Sequence, residues 1–154
     1  YKRQIEYTRT RTNAFEPQRA NPSDAGLDVF YSPEHENQAI AITPGESSII
    51  PTGLRFGVPH GYMLEVKNRS SVASKQSLIV GACVVDSGYD GEVFVNLHNI
   101  GKETQHVRAG DKIAQLVMIP VINFRANQSK SGDLYRSPIT ISERGEGALG
   151  STDE

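Results

Sequence analysis

The chain has 154 residues, a formal net charge of −2 and a sequence pI of about 6.1, so it suits one domain and has no overall basic field for duplex nucleic acid. Its single cysteine, Cys83, excludes an internal disulfide framework. No apolar run approaches the roughly 20 residues of a membrane span and no signal-peptide pattern is visible, so we expect no membrane partner and a cytoplasmic or nuclear location, which includes the cytosol of a host cell.

Short apolar stretches between turn residues predict a series of short strands in the first half of the chain. The first is an exposed edge strand, and the second follows a polar loop at residues 21–26. Proline and glycine turns separate the others. In chain order, the predicted strands are 3–8, 27–31, 39–43, 47–50, 54–58 and 62–67.

The second half predicts one short helix and further strands. The helical candidate is 70–76, and strands follow at 78–80, 104–108 and 113–119. The last strand is almost continuously apolar, so we expect it to be buried on both faces. Residues 123–137 are predicted to form an exposed loop or arm, and residues 144–154 a mobile tail.

The segment 81–97 places one acid and one aromatic ring at a predicted bend. Small and β-branched residues lead to Asp86, a Ser-Gly turn follows, and Tyr89 comes directly after it. From 92 to 97 the aliphatic residues Val93, Val95 and Leu97 alternate with the residues between them. This pattern predicts a hairpin of strand, turn and strand. An ordinary turn is the alternative, because Asp and Gly are common in turns for backbone reasons.

Two further stretches combine charge with hydrogen-bonding groups. Asp28 stands at the start of a strand, where a salt bridge or a turn acid is the simpler interpretation. Arg69, Ser70 and Ser71 precede the predicted helical turn, whose free N–H groups favour an anion. A plain serine N-cap is the alternative there.

Two more polar stretches lie nearer the end of the chain. Gln115 interrupts the strongest apolar strand and should share a face with Ile113 and Val117, so a buried amide there needs a partner. The segment 144–152 holds one arginine and several backbone donors, with a disordered tail as the alternative.

Strands at this spacing indicate an all-β sandwich or barrel, with 1–154 as a single domain.

Together these stretches resemble the five motifs of the homotrimeric all-β dUTPase family, in the family's order. The similar segments are 25–29, 69–73, 85–93, 110–116 and 144–152. The resemblance implies a distorted jelly-roll or barrel-like β-sandwich that assembles into a homotrimer with active sites shared between subunits. It also implies hydrolysis of dUTP to dUMP and diphosphate with Mg²⁺, which supplies dUMP and limits uracil in DNA.

The resemblance assigns roles to individual residues. Asp86 would activate the water that attacks the α-phosphorus, and Asp28 would act on the metal side through Mg²⁺-bound water. The phosphate oxygens would be bound by side chains of the second and fourth motifs and of the tail: Arg69, Ser70, Ser71, Gln115, Arg144, Ser151 and Thr152.

The base and the sugar would be read by the third motif. Backbone groups of Gly81, Val84 and Val85 would pair with uracil, and Tyr89 would stack under the deoxyribose and exclude a 2′-hydroxyl. The family's fifth motif usually carries an aromatic residue over the base, whereas this chain has Leu149 there. The segment 123–137 is longer than usual in the family, either as a tolerated loop insertion or as an arm that contacts a protein partner.

Two other functions are compatible with the same features. A dCTP deaminase has a similar fold and needs a general acid or base just past the bend, where Glu92 is available. A nucleotide-sensing regulatory protein would use the same pocket for binding and the 123–137 arm for a partner.

Overall fold

A computed structural model describes residues 4–135. They form eleven strands and one short helix. The first six strands are β1 (Tyr7–Arg9), β2 (Leu27–Phe30), β3 (Ala39–Ile42), β4 (Ser47–Pro51), β5 (Leu54–Phe56) and β6 (Tyr62–Lys67). The remaining elements are α1 (Ser70–Gln76), β7 (Leu78–Val80), β8 (Val84–Val85), β9 (Phe94–Asn99), β10 (Gln105–Arg108) and β11 (Lys112–Pro120).

The strands form four antiparallel sheets, which confirms the all-β prediction. The largest has the order β2-β11-β6-β8, and a three-stranded sheet has the order β4-β9-β7. Two-stranded sheets pair β1 with β5 and β10 with β3. Because sequence neighbours such as β8 and β9 lie in different sheets, the arrangement is that of a sandwich rather than of a simple meander.

The core is built from the inward faces of these strands. In β9, Val95 and Leu97 are fully buried while Phe94 is 46% exposed, which is the alternation that a strand with one covered face requires. Ile50 and Leu54 are also fully buried. Each such side chain stabilises the fold by about 1.5–3 kcal/mol relative to an exposed position.

The helix α1 begins at Ser70, as predicted, but no serine caps it. Arg69 occupies the N-cap position with an extended backbone and makes no side-chain cap hydrogen bond. The helix ends at Ser77, which adopts a left-handed conformation with φ of 54°. The serine N-cap interpretation was therefore wrong, and the cap does not occupy the hydroxyls of Ser70 and Ser71.

The hairpin prediction for segment 81–97 was wrong in its pairing. β8 pairs with β6, through Leu64–Val85 and Glu65–Val84, whereas β9 pairs with β4 and β7. The two arms therefore belong to different sheets, and the turn between them crosses from one sheet to the other. Sequence alternation predicts each strand but contains no information on its partner, which is why the error arose.

The prediction that strand β11 is buried on both faces was only partly correct. Ile113, Ala114 and Leu116 are buried, but Met118 is 36% exposed. Residues 112–116 of β11 pair with β2 and residues 115–120 pair with β6, so only Gln115 and Leu116 have strand partners on both sides. A register shift between residues 112 and 114 also breaks the alternation, so Gln115 is half-buried and does not share the environment of Ile113.

The chain divides into two compact units, Tyr1–Asn123 and Phe124–Glu154. All the elements above lie in the first. In the second, residues 124–135 contain neither helix nor strand, and Phe124, Leu134 and Tyr135 are exposed. The described residues include no helix with the length and apolar character needed to cross a bilayer.

Candidate active site

One polar cleft, called here the Asp28 cleft, forms where the start of strand β2 meets the beginning of helix α1. Its walls come from separate segments of the chain. The lining residues are Ala20, Asp24, Ala25, Gly26, Asp28, Arg69, Ser70 and Gln115. The fold therefore brings together side chains of three predicted motif segments, namely 25–29, 69–73 and 110–116.

Asp28 is buried, with 7% exposure, and its carboxylate contacts two cationic side chains. Its Oδ1 accepts a hydrogen bond from Arg69 Nε at 2.8 Å, and its Oδ2 lies 3.0 Å from Lys112 Nζ. The pair of cations compensates the desolvated carboxylate. Because Arg69 uses Nε for this bond, its two terminal nitrogens have no hydrogen-bond partner within residues 4–135 and can meet an external anion.

Gln115 crosses the floor of the same cleft. Its Nε2 donates to the carbonyl oxygen of Asn68 at 2.9 Å, so the half-buried amide has the partner that the sequence required. Gly26 lies against it: a Cβ at this position would stand 1.8 Å from Gln115 Oε1 and 2.8 Å from its Cβ. Residue 26 must therefore lack a side chain for Gln115 to keep its position.

The two predicted serines at the start of helix α1 are exposed. Ser70 lines the Asp28 cleft, while Ser71 lines an adjoining cavity. That cavity is also bordered by Arg69, Lys75 and Lys112 and by one acid, Asp111, so cationic side chains outnumber acidic ones there. This concentration of positive charge suits a polyanion.

A second cleft, called here the Asp86 cleft, lies beside strand β8. Asp86 and Tyr89 both line it, together with apolar side chains of the neighbouring strands. The residues 86–91, called the Tyr89 loop, begin with a tight turn in which Tyr89 N donates to Asp86 O at 3.2 Å. Gly88 adopts a φ of +85° in this turn, a conformation that glycine tolerates best.

The ring of Tyr89 is held by its own chain. Its hydroxyl donates to the carbonyl oxygen of Glu92 at 2.9 Å. The ring passes over Gly91, where a Cβ would stand 2.4 Å from the tyrosine hydroxyl. Tyr89 is still 46% exposed, so the fixed ring keeps free surface on which a ligand can stack.

The segment before the Tyr89 loop approaches strand β9 closely. Gly81 N donates to Asn96 O at 2.9 Å, and a Cβ on Gly81 would lie 2.2 Å from Asn96 Oδ1. Of the two predicted valines, Val84 is 54% exposed and Val85 is buried. A side chain at residue 81 would therefore displace the segment that carries them.

The two clefts of this chain share no lining residue. The structure thus groups Asp28, Arg69, Ser70 and Gln115 in one cleft and Asp86 with Tyr89 and Val84 in the other. Four further predicted site residues, in the tail, lie outside the described residues: Arg144, Leu149, Ser151 and Thr152.

Two residues near these clefts were missed or given another role. Lys112 lies in the predicted motif segment 110–116 but was given no role. Its ammonium group neutralises Asp28, and the local sequence does not reveal this contact. Glu92 was considered only as an acid or base, but its carboxylate forms an ion pair with Arg11 at 2.6 Å. The partners are 81 positions apart, so the pair leaves no local signal in the sequence.

The clefts were tested for a fit to a divalent cation. Within residues 4–135 no group of three or more His, Cys, Asp or Glu side chains could hold a metal ion. Both oxygens of Asp28 already face cations, although a carboxylate retains acceptor capacity for a further hydrogen bond. The donor set fits a hydrated Mg²⁺ that arrives on a polyphosphate, with Asp28 accepting from its waters.

Comparison with known proteins gives a uniform result. A protein-family model described as dUTPase matches residues 12–152. The deoxyuridine 5′-triphosphate nucleotidohydrolase of Chlamydia trachomatis serovar L2 is 38% identical over 142 residues, which cover 90% of this chain and 90% of that protein.

Solved structures show the same fold. The dUTPase of Staphylococcus bacteriophage 80alpha with dUpNHpp matches with TM-scores of 0.82 for a point mutant (24% identity) and 0.77 for another structure (26%), each covering 97% of this chain and 98% of that one. A mutant dUTPase of phage phi11 of S. aureus, which coordinates a structural Mg(II) ion, matches at 0.73 with 25% identity, covering 82% and 97%.

Proposed function

The chain belongs to the dUTPase family, and on that premise we propose that it hydrolyses dUTP to dUMP and diphosphate, so that it supplies dUMP and limits uracil in DNA. The observation that carries the proposal is the Asp28 cleft. Side chains from distant segments meet there: Arg69, which Asp28 orients, and the hydrogen-bonding groups of Ser70 and Gln115. A triphosphate requires such an arrangement, because its charge must be matched by preorganised donors.

The phosphate chain binds at the Asp28 cleft. Arg69, oriented by Asp28, donates its terminal N–H groups to phosphate oxygens, and the guanidinium geometry suits a bidentate contact. Ser70 and Ser71 donate through hydroxyls that no cap occupies, and the amide of Gln115 contacts the same phosphates. Arg144, Ser151 and Thr152 complete these contacts from the tail.

Asp86 is the catalytic base of the proposal. A carboxylate can accept a hydrogen bond from water and take up its proton. Asp86 lies exposed at the rim of its cleft, where a water molecule can reach it. It would orient that water for in-line attack on the α-phosphorus, and diphosphate would leave.

The segment around the Tyr89 loop selects the nucleoside. Backbone groups of Gly81, Val84 and Val85 pair with uracil, and this segment would exclude a 5-methyl group. Tyr89 stacks under deoxyribose and excludes a 2′-hydroxyl by steric conflict. Leu149 covers the base from the tail in place of the usual aromatic residue.

We expect magnesium to bind together with the substrate. When bound with the phosphates, Mg²⁺ would supply positive charge to offset theirs, and it would be expected to keep some of its waters. Asp28 would accept hydrogen bonds from those waters while keeping its contacts to Arg69 and Lys112.

A homotrimer explains why the two clefts are separate. In one chain the two clefts share no lining residue, and we expect the Tyr89 loop that meets a phosphate group in the Asp28 cleft to come from another copy. Closed symmetric assembly supplies such heterologous contacts. The tail, residues 144–154, would come from a third copy and order over bound nucleotide.

The deaminase alternative requires a free carboxylate at Glu92. That carboxylate accepts hydrogen bonds from both terminal nitrogens of Arg11 and from Gly53 N at 2.7 Å. A carboxylate so occupied is poorly placed to exchange protons with a substrate, which favours the triphosphatase. Contact of a protein partner with the 123–137 arm stays a prediction, supported by the exposure of Phe124 and Leu134.

The test is diphosphate release by the purified protein from dUTP, dCTP, dTTP and UTP. We expect release from dUTP with strong preference over the other three. Asp86→Asn should keep dUTP binding and lower kcat by about 10²-fold or more, because general-base catalysis contributes about 10²–10⁴-fold. Ammonia release from dCTP, or unchanged turnover in Asp86→Asn, would contradict the proposal.

A further inference from the structure

A nearly buried ion pair links the N-terminal region to the end of the Tyr89 loop. Arg11 donates from Nη2 to Glu92 Oε1 at 2.6 Å and from Nη1 to Oε2 at 3.1 Å. The two side chains are only 17% and 15% exposed. A bidentate pair of this kind has directional bonds as well as charge attraction, so it fixes position and orientation.

Each partner is also tied to the main chain elsewhere. Arg11 donates from Nε and Nη2 to the carbonyl oxygen of Ser32 at 3.1 and 2.8 Å. Glu92 Oε1 accepts from Gly53 N at 2.7 Å. The pair therefore joins three backbone segments, at residues 32, 53 and 92, into one hydrogen-bonded unit.

This unit is one anchor of the Tyr89 ring, beside the backbone of Val93, whose N donates to Leu54 O and whose O accepts from Thr52. The tyrosine hydroxyl donates to the backbone carbonyl of Glu92, the residue whose side chain Arg11 holds. The loop's second ion pair, Arg55 with Asp90, is a weaker restraint because the Asp90 side chain is 86% exposed. On the upstream side, strand β8 fixes Val85 against Leu64.

We propose that Arg11 and Glu92 are positioning residues that set the sugar selectivity of the enzyme by holding the Tyr89 ring against the 2′-position of the bound nucleotide. The inference rests on the proposed function, since it assigns to this pair the geometry on which exclusion of ribonucleotides depends. Loss of either side chain leaves residue 92 held mainly by the adjoining peptide, in which Val93 N donates to Leu54 O at 2.8 Å. The part of the loop that carries Tyr89 then has more freedom, and the ring can retreat from a 2′-hydroxyl.

The experiment compares kcat/KM for dUTP, UTP and dCTP in the full chain and in Arg11→Ala and Glu92→Ala. We expect the dUTP-to-UTP ratio to fall about tenfold or more, since a small displacement of a steric contact changes discrimination by about that factor. The dUTP-to-dCTP ratio should stay within about twofold, because the base is read by segment 81–85. If the pair only stabilised the fold, its loss would change the dUTP-to-UTP ratio and the dUTP-to-dCTP ratio to the same extent.

Two further variants test the geometry of the pair. Arg11→Lys keeps the charge but lacks the fork that reaches both carboxylate oxygens and Ser32, so it should recover the sugar ratio only in part. The double variant Arg11→Ala/Glu92→Ala should have a ratio close to that of each single variant, because both remove the same restraint.

Matched controls exclude general weakening of the fold. Arg9→Ala removes an exposed ion pair with Glu16 from the same part of the chain, and Ile42→Ala weakens the core without touching the loop. Both should retain the wild-type sugar ratio, even where Tm falls as far as in Arg11→Ala.

The outcomes separate the inference from the function it rests on. If the wild-type protein discriminates dUTP from UTP and Arg11→Ala keeps that ratio, the pair has no positioning role while the proposed function stands. A sugar ratio that falls equally in Ile42→Ala also overturns the inference. If the wild-type protein releases no diphosphate from dUTP, the proposed function fails and the inference fails with it.

Discussion

At the scale of single residues, Asp28 shows how one side chain serves two neighbours. The sequence marks it as an acid at the start of a strand, and an ordinary salt bridge was the simpler interpretation. The structure gives it two cationic partners, Arg69 and Lys112, and its bond to Arg69 Nε orients the guanidinium. A structural ion pair and a candidate functional site therefore share the same residues here.

Gly26 provides a test of the same cleft. In Gly26→Ala the new Cβ would lie 2.8 Å from Gln115 Cβ, closer than such atoms approach, so the glutamine must move. We expect a stability loss of about 1–3 kcal/mol and a fall in kcat/KM of about 10²-fold. Thermal unfolding and diphosphate release measure the two effects.

Gly57→Ala is the control for that substitution. Its Cβ would meet nothing closer than Glu6 O at 3.7 Å, which is an ordinary contact. Both stability and turnover should stay near the wild-type values. If Gly26→Ala also left turnover unchanged, Gln115 would have no part in substrate binding.

At the scale of elements, the periodicity of a segment predicts that a strand or helix forms better than it predicts which strand pairs with which. The bounds of α1 and β6 were predicted as observed, since local patterns such as turns and alternation determine them. The assignment of β8 and β9 to different sheets could not be predicted, because pairing depends on residues far away in sequence. The Arg11–Glu92 pair escaped prediction for the same reason.

The tail allows a prediction at this scale. Deleting residues 144–154 removes the proposed phosphate contact of Arg144 but no part of the described core. We expect kcat/KM for dUTP to fall by about 10²-fold or more with a change in Tm of no more than a few degrees, because a closing segment contributes to the bound state rather than to the free fold. Unchanged turnover after the deletion would remove the tail from the mechanism.

At the scale of the whole molecule, the sequence identifies candidate site residues but not how they come together. Residues such as Asp28, Gln115 and Asp86 could be singled out because a polar side chain is unusual beside a buried strand. The lack of any lining residue common to the Asp28 cleft and the Asp86 cleft agrees with the shared active sites that the resemblance implied. It makes assembly between copies the central claim of this account.

Hybrid assembly tests that claim most directly. Asp86→Asn and Arg69→Ala should each be nearly inactive alone, because each removes one half of every site. When the two variants are co-assembled at random, about a quarter of the sites combine an intact loop with an intact phosphate cleft from different copies. We expect recovery of about a quarter of wild-type dUTP turnover, and hybrids that recover none would show that the sites are not shared between copies.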